Sequence, residues 1–267
     1  MKKLVIVFTI LVSFMGAAFA QTDRKVQEAI SCLESSNWKY RYKGILLFNS
    51  NLELLDDKEA KEAIIKLLVK EGEHIDLKGG GIWGDEIVTD ADKDEDIGEG
   101  QANYLYELSK IAVKLKDIRV IRPLLKAGFI EKVSVFGSDA IEDVLQELET
   151  ENITRQNRAI VALTNIITGK SGGNIPNQDA KNKVKKRVLE KIDNKFLKMS
   201  VVYFLGELAF CGDKDVVQII EKIAKEDPYS QDFGKKPNYT GPKIRYPVRE
   251  EAEKILEQLK KEGNIKE

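Results

Sequence analysis

The stretch from Asn194 to Glu226, NKFLKMSVVYFLGELAFCGDKDVVQIIEKIAKE, constrains the fold more than any other part of the chain. It reads as two amphipathic helices joined by a tight Gly-Asp turn. The first carries Leu197, Val201, Phe204, Leu205 and Leu208 on one stripe; the second carries Val216, Val217, Ile220, Ile223 and Ala224. The second stripe recurs at i, i+1, i+4, i+7 and i+8, the spacing of a half-buried helix. Between them, Gly212 suits the left-handed cap conformation and Asp213 suits the N-cap of the helix that follows. A lone helix pair cannot bury both stripes, so it has to stack on more of its kind.

The rest of the chain supplies such helices. Apolar periodicity recurs at 23–36, at 38–50 behind Asn37, at 58–72 behind Asp56 or Asp57, and at 100–116. The third of these aligns Ala60, Ala63, Ile64, Leu67 and Leu68. The fourth aligns Leu105, Leu108, Ile111, Ala112 and Leu115. Asp117 caps a helix over 118–128 that Pro123 should kink after its first turn. Ser138 or Asp139 opens a helix at 140–151, and further helices follow at 154–168, 181–192 and 248–263.

Four helices share a register. Arg41, Gly44 and Phe48 match Gln156, Ala159 and Leu163, then Lys198, Val201 and Leu205, then Arg249, Ala252 and Leu256. A polar residue is followed at +3 by a small or apolar one, which lets a neighbouring helix approach, and at +7 by a large apolar one. The last three begin at 156, 198 and 249, so they lie 42 and then 51 residues apart. That is near the ~40–47 period of HEAT and armadillo arrays.

The segments Leu197-Lys198-Met199-Ser200, Leu205-Gly206-Glu207-Leu208 and Gly212-Asp213-Lys214-Asp215 resemble the HEAT-like (armadillo-type) helical repeat. So does Val248-Arg249-Glu250-Glu251-Ala252 through Leu256, and the likeness is clearest over 194–262. The resemblance implies an all-α fold, an α-solenoid of about five stacked helix pairs that binds other macromolecules, and it implies no particular chemistry. The pairs would span 23–50, 57–115, 118–168, 178–210 and 213–262. Two insertions, 75–98 and 227–246, then fall between the first and second helices of a pair. They are expected on one edge of the solenoid, roughly 30 Å apart at ~10 Å per helix pair. Insertions gathered on one edge mark a binding face.

Export is the expected fate. Lys2 and Lys3 precede the apolar run LVIVFTILVSFMG, which ends in Ala17-Ala18-Phe19-Ala20, the layout of a secretory signal peptide. An uncleaved N-terminal anchor is the alternative, although the run is short for a ~20-residue span. A single α-solenoid domain over 21–267, periplasmic or extracellular and without a membrane span, is the expected mature protein. Without Lys2 and Lys3, the 43 Lys and Arg fall to 41 against 44 Asp and Glu, a net charge of −3. General nucleic-acid binding, which needs a basic face, is not expected. Cys32 and Cys211 do not make a disulfide framework and read as two small buried hydrophobes or as sites of intermolecular bridging.

In the first insertion, Asp90, Asp92, Asp94 and Asp96 occupy positions 1, 3, 5 and 7 of an EF-hand-type loop. Alternating carboxylates suit Ca2+, which takes six to eight oxygens. Two departures oppose it: Glu95 stands where the turn needs Gly, and Gln101 stands where a bidentate carboxylate belongs. The loop is therefore either a Ca2+ site, the one cofactor suggested, or a solvated acidic surface facing a basic partner. Trp83, among Gly79, Gly80, Gly81 and Gly84, reads as an exposed anchor or as a ring folded back onto the helices.

The second insertion interleaves Tyr229, Phe233, Tyr239 and Tyr246 with Lys235, Lys236, Lys243 and Arg245. This is the composition of an interface hot spot, or of a connection whose rings pack onto the last helices. The outward positions of the register helices, +2, +5 and +9, should line a groove. They are Lys43, Leu46 and Ser50; Arg158, Val161 and Asn165; Ser200, Tyr203 and Glu207; and Glu251, Lys254 and Gln258. Their mixed character fits a protein or peptide better than a phosphate track, with Arg158, Tyr203 and Glu207 the foremost contacts.

Thr168-Gly169-Lys170-Ser171 echoes a P-loop only superficially, because Thr164 replaces the first Gly and a helix precedes it. Gly169 reads as a helix C-cap. His74 is the only histidine, which excludes multi-histidine metal sites. No nucleophile, base and orienter stand together in a motif. The sequence predicts a non-enzymatic protein-binding scaffold, with a calcium-dependent binding module as the alternative.

Overall fold

Side-chain caps decide where several helices begin. Asn37, Asp57, Asp117, Asn152 and Asn177 each turn an oxygen onto a first-turn amide, at 2.9 Å to Lys39, 2.9 Å to Ala60, 3.0 Å to Arg119, 3.1 Å to Arg155 and 2.9 Å to Ala180. Each satisfies one of the amides that a helix start leaves without a partner. The structure, a computed structural model, describes residues 22–72, 75–78, 86–89, 98–232, 241 and 244–265. The helices are α1 (22–33), α2 (Trp38–Ser50), α3 (Lys58–Gly72), α4 (Gly98–Lys114), α5 (Ile121–Lys126), α6 (Ile141–Glu147), α7 (Ile153–Thr168), α8 (Gln178–Leu189), α9 (Lys198–Phe210), α10 (Asp215–Glu226) and α11 (Pro247–Lys261).

Among the described residues the fold is all-helical apart from two short antiparallel ribbons, one in each insertion. β1 (Ile75–Lys78) pairs with β2 (Glu86–Thr89) in the register Ile75 to Thr89, and β3 (Gln231–Asp232) pairs with β4 (Ile244–Arg245). The chain divides into two compact units, one ending at Phe129 and one beginning at Ile130.

In the first unit α2 and α3 both pack on α4, and α3 also meets α5. Ile45, Phe48, Ile64, Leu68, Leu105, Leu108, Ile111 and Leu124 are buried between them. Each such side chain contributes about 1.5–3 kcal/mol relative to exposure. Gly44 is the point of closest approach: a Cβ there would lie 2.9 Å from the Ala29 carbonyl oxygen of α1.

In the second unit α9 lies between α7 and α11 and also packs on α10. Two contacts near opposite ends make α7 and α9 parallel. Ser200 Oγ donates to Asn157 Oδ1 at 2.7 Å near the starts, and Lys170 pairs with Glu207 near the ends. The starts of α9 and α11 are likewise neighbours, since Lys198 and Arg249 both bind Asp227, while farther along Gly206 faces Ile255. Three parallel helices, α7, α9 and α11, thus form one layer. α8 packs on α6 and α7, and α10 packs on α9 and α11.

The expected stripes sit in these cores. Leu197, Val201, Phe204, Leu205 and Leu208 of α9 are all buried; Ala63 of α3 and Val217 of α10 are only half-buried. Gly212, at φ +91°, forms the anticipated cap: its N–H reaches the Ala209 carbonyl at 2.9 Å and the Asp213 N–H reaches Leu208 at 3.0 Å. The +3 residues Gly44, Ala159, Val201 and Ala252 are buried, as are Phe48, Leu163 and Leu205 at +7, whereas Leu256 is half-buried.

The opening polar residue of the register has a task that spacing alone does not reveal. Arg41 donates to the carbonyls of Ser35 and Ser36, Gln156 to those of Leu148 and Thr150, and Arg249 to that of Asp227. Each thereby satisfies backbone acceptors where the preceding helix stops.

Two expectations are corrected. Residues 130–140 form two short 3-10 turns broken by a kink at Gly137, and α6 starts only at Ile141 without a side-chain cap. The Ser138 N–H is instead bound to the Asn174 carbonyl at 2.9 Å. There Gly137, at φ +59°, lets the 172–174 backbone cross so closely that a Cβ would sit 2.2 Å from the Asn174 oxygen. The cysteines are not buried hydrophobes: both are free thiols, Cys32 half-buried and Cys211 exposed at the end of α9.

Candidate functional site

The outer face of the α7, α9 and α11 layer is the most developed surface of the second unit. None of its outward residues is buried: Arg158, Val161 and Asn165 on α7, Ser200, Tyr203 and Glu207 on α9, Glu251, Lys254 and Gln258 on α11. Along α9, Phe196, Met199 and Tyr203 are exposed at 61%, 36% and 40%, and they recur at i, i+3 and i+7. Flanking helices cover both sides of α9, so this strip is its uncovered edge. The Asn194 side chain accepts from the Phe196 N–H at 3.0 Å and fixes the turn that presents the ring. The Lys195 ammonium lies 4.8 Å from that ring's centre.

Charge is arranged around the strip in short-range pairs. Burial, with the Glu207 carboxylate beside it, pushes the Tyr203 hydroxyl above its usual range. Tyr203 is therefore a neutral donor at ordinary pH. Glu207 also binds Lys170 and holds that ammonium above the usual lysine range. A phenol next to an exposed thioether and ring offers area plus one directed hydrogen bond, the composition of an interface anchor.

At the starting edge of α9 and α11, Asp227 is 9% exposed and gathers three groups. Lys198 Nζ donates to Oδ2 at 2.6 Å, the Tyr229 N–H to Oδ1 at 2.9 Å, and Arg249 Nε to the carbonyl at 2.5 Å. Tyr229 is half-buried, and its hydroxyl accepts from Gln231 at 3.1 Å. Arg245 on β4 forms a two-pronged pair with Glu250, and the Arg245 guanidinium holds that carboxyl below the usual carboxylate range. Arg249 also stacks over Tyr246 at 4.5 Å.

The first unit contains a deeper cluster. Arg41 Nη2 lies 3.0 Å from Glu71 Oε1, Arg41 Nε donates to the Tyr104 hydroxyl at 3.1 Å, and that hydroxyl donates to Glu71 at 3.0 Å. All three residues are buried, Tyr104 completely. Burial, and then the Glu71 charge, raise the Tyr104 hydroxyl far above its usual range. Trp38 and Tyr42 pack their rings 6.3 and 6.2 Å from that of Tyr104.

Among the expected contacts, Tyr203 and Glu207 are brought together on α9, and Arg158 lies on the same layer through α7. Tyr229 and Arg245 belong instead to the root of the second insertion. Trp83, Phe233, Lys235, Lys236 and Tyr239 lie outside the described residues, as do Asp90, Asp92, Asp94 and Asp96 and residues 1–20, where a signal peptide is expected. Among the described residues no group of three or more His, Cys, Asp or Glu side chains is placed to hold a metal, and no helix is long and apolar enough to cross a membrane.

Sequence reasoning missed Phe196 and Met199. Their signal was present, because α9 is apolar around more of its circumference than a helix with one buried face requires. Comparison with family models, curated proteins and solved structures found no match.

Proposed function

We propose that the protein is an exported, non-enzymatic binding scaffold whose helix pairs stack in the manner of a HEAT-like α-solenoid. Its ligand is a protein or peptide segment with apolar anchors. The carrying observation is the Phe196, Met199 and Tyr203 strip on the middle helix of a parallel three-helix layer. Met supplies adaptable packing, and the two rings supply large contact area at low cost in side-chain entropy. The parallel layer supports a solenoid reading, because stacked helix pairs place their second helices side by side in one direction. The apolar and Lys-rich leader supports export.

Selection of a displayed peptide library on the immobilised chain tests this reading. Selected peptides should lose at least about thirtyfold in affinity when Phe196 and Tyr203 are both replaced by Ser, since hot-spot truncations cost about 2 kcal/mol or more. The thermal midpoint should not fall, because both side chains are exposed. Peptides that bind parent and variant equally would refute the assignment of this face.

A further inference from the structure

Both insertions leave the helical body at the same kind of joint. α3 ends beside Glu71 and α10 ends beside Asp227, carboxylates only 6% and 9% exposed. Each is held by a cation at the start of the preceding register helix, Arg41 of α2 and Lys198 of α9. These two residues hold the same place in the repeated pattern. The helix after each insertion closes the joint, through the Tyr104 hydroxyl of α4 in one case and the Arg249 guanidinium of α11 in the other. Paired strands begin a few residues beyond each carboxylate, at Ile75 and at Gln231.

We infer that Glu71 and Asp227 are equivalent positioning residues that fix the roots of the two β-ribbons. The residue at the end of each helix is gripped through its carboxylate by a helix before the insertion and closed by the helix after it, through the carboxylate at Glu71 and through the backbone carbonyl at Asp227, so it ties three elements at one point. β3 then leaves the body in a set direction. Burial makes the tie selective, since a charge left without its partner there is costly and the alternative geometries lack one. The inference concerns how the ribbons are held and stands whether or not the α9 face captures a peptide.

Millisecond hydrogen exchange on the full chain tests it. In Lys198→Met, the amides of the β3 and β4 pair should exchange about tenfold faster, as expected for a local opening. Amides in the buried turns of α7 and α9 should keep their rates, and Lys198→Arg should restore the ribbon. Asp227→Asn should reproduce the Lys198→Met result, and Glu71→Gln should do the same to the β1 and β2 ladder. The inference is overturned if the ribbon amides show no protection in the parent chain, if Lys198→Met leaves them unchanged, or if α7 and α9 accelerate with them.

Discussion

α2 in the first unit and α9 in the second carry the same register, yet their joints are closed by different numbers of contacts. The Arg41 guanidinium of α2 is used up by two carbonyls, a carboxylate and a phenol. α9 opens on Lys198, which makes one contact, to the Asp227 carboxylate, whose side chain is as little exposed as that of Glu71, at 8% in each. A planar fork with five donors suits the joint where four acceptors converge, whereas a single ammonium is enough where there is one. The shared pattern therefore specifies where a polar group is needed, and the number of acceptors gathered there determines how much depends on it.

Removing each cation should separate the two joints most widely. Arg41→Met leaves Glu71 buried with only the Tyr104 hydroxyl and should destabilise the first unit by about 3–5 kcal/mol. Lys198→Met removes a single contact and leaves Asp227 with the Tyr229 amide, so its cost should be smaller, about 1–3 kcal/mol. Urea unfolding followed by Trp38 fluorescence, in a Trp83→Phe background, reports the first unit, because Trp38 lies against Tyr104. Far-ultraviolet dichroism then follows the remaining helices. Equal losses for the two variants would remove the distinction drawn from the number of contacts.

The glycines on the same two helices extend the comparison at smaller magnitude. A Cβ on Gly44 would meet the Ala29 carbonyl oxygen and the Leu33 side chain at 2.9 Å, and a backbone oxygen cannot retreat unless α1 moves. A Cβ on Gly206 would meet Ile255 Cδ1 at 2.8 Å, the tip of a side chain that can turn aside. Gly44→Ala should therefore cost about 1–3 kcal/mol through overpacking. Gly206→Ala should fall within about 1 kcal/mol of neutral, because the gain in helix propensity offsets the shift of Ile255. Thermal midpoints of the two variants decide it, and a larger loss at Gly206 would show that α11 is packed as tightly as α1.

These contrasts also explain which parts of the molecule were legible in the chain. Helix starts were readable where a cap acts within three residues, as at Asn37 and Asp117, and structure settles on Asp57 over Asp56 by its bond to Ala60. The buried stripes of α4 and α9 were readable because periodicity is local. The ribbons were not, since β3 and β4 are two residues each and pair across a long connection. Nor was the Arg41, Glu71 and Tyr104 cluster, whose members lie up to 63 residues apart. On the outer layer, Tyr203 and Glu207 followed from register, while Phe196 precedes α9 and is presented by a turn that register does not describe. Cys211 was misplaced for a related reason: helix phase is lost at the Gly212 cap, which turns the chain outward.

The most selective probe of the first joint is the Tyr104 hydroxyl, whose effect should depend on pH in a calculable direction. In the unfolded chain a tyrosine ionises near pH 10. In the folded unit, burial and the Glu71 charge raise the Tyr104 hydroxyl, so the folded state keeps its proton after the unfolded state has lost it. The stabilisation it supplies is then complete below about pH 10 and is lost as pH rises toward the folded value, at up to about 1.4 kcal/mol per pH unit. Tyr104→Phe should cost about 1–2 kcal/mol at pH 7 through the lost hydrogen bonds. That difference should narrow by roughly 1 kcal/mol between pH 10 and 11, since only the parent chain has this group to ionise on unfolding. Tyr203 is raised in the same direction but is 40% exposed, so Tyr203→Phe should show a smaller narrowing. A parent-minus-variant difference at Tyr104 that stays flat across this range would mean that water reaches the hydroxyl in the folded unit.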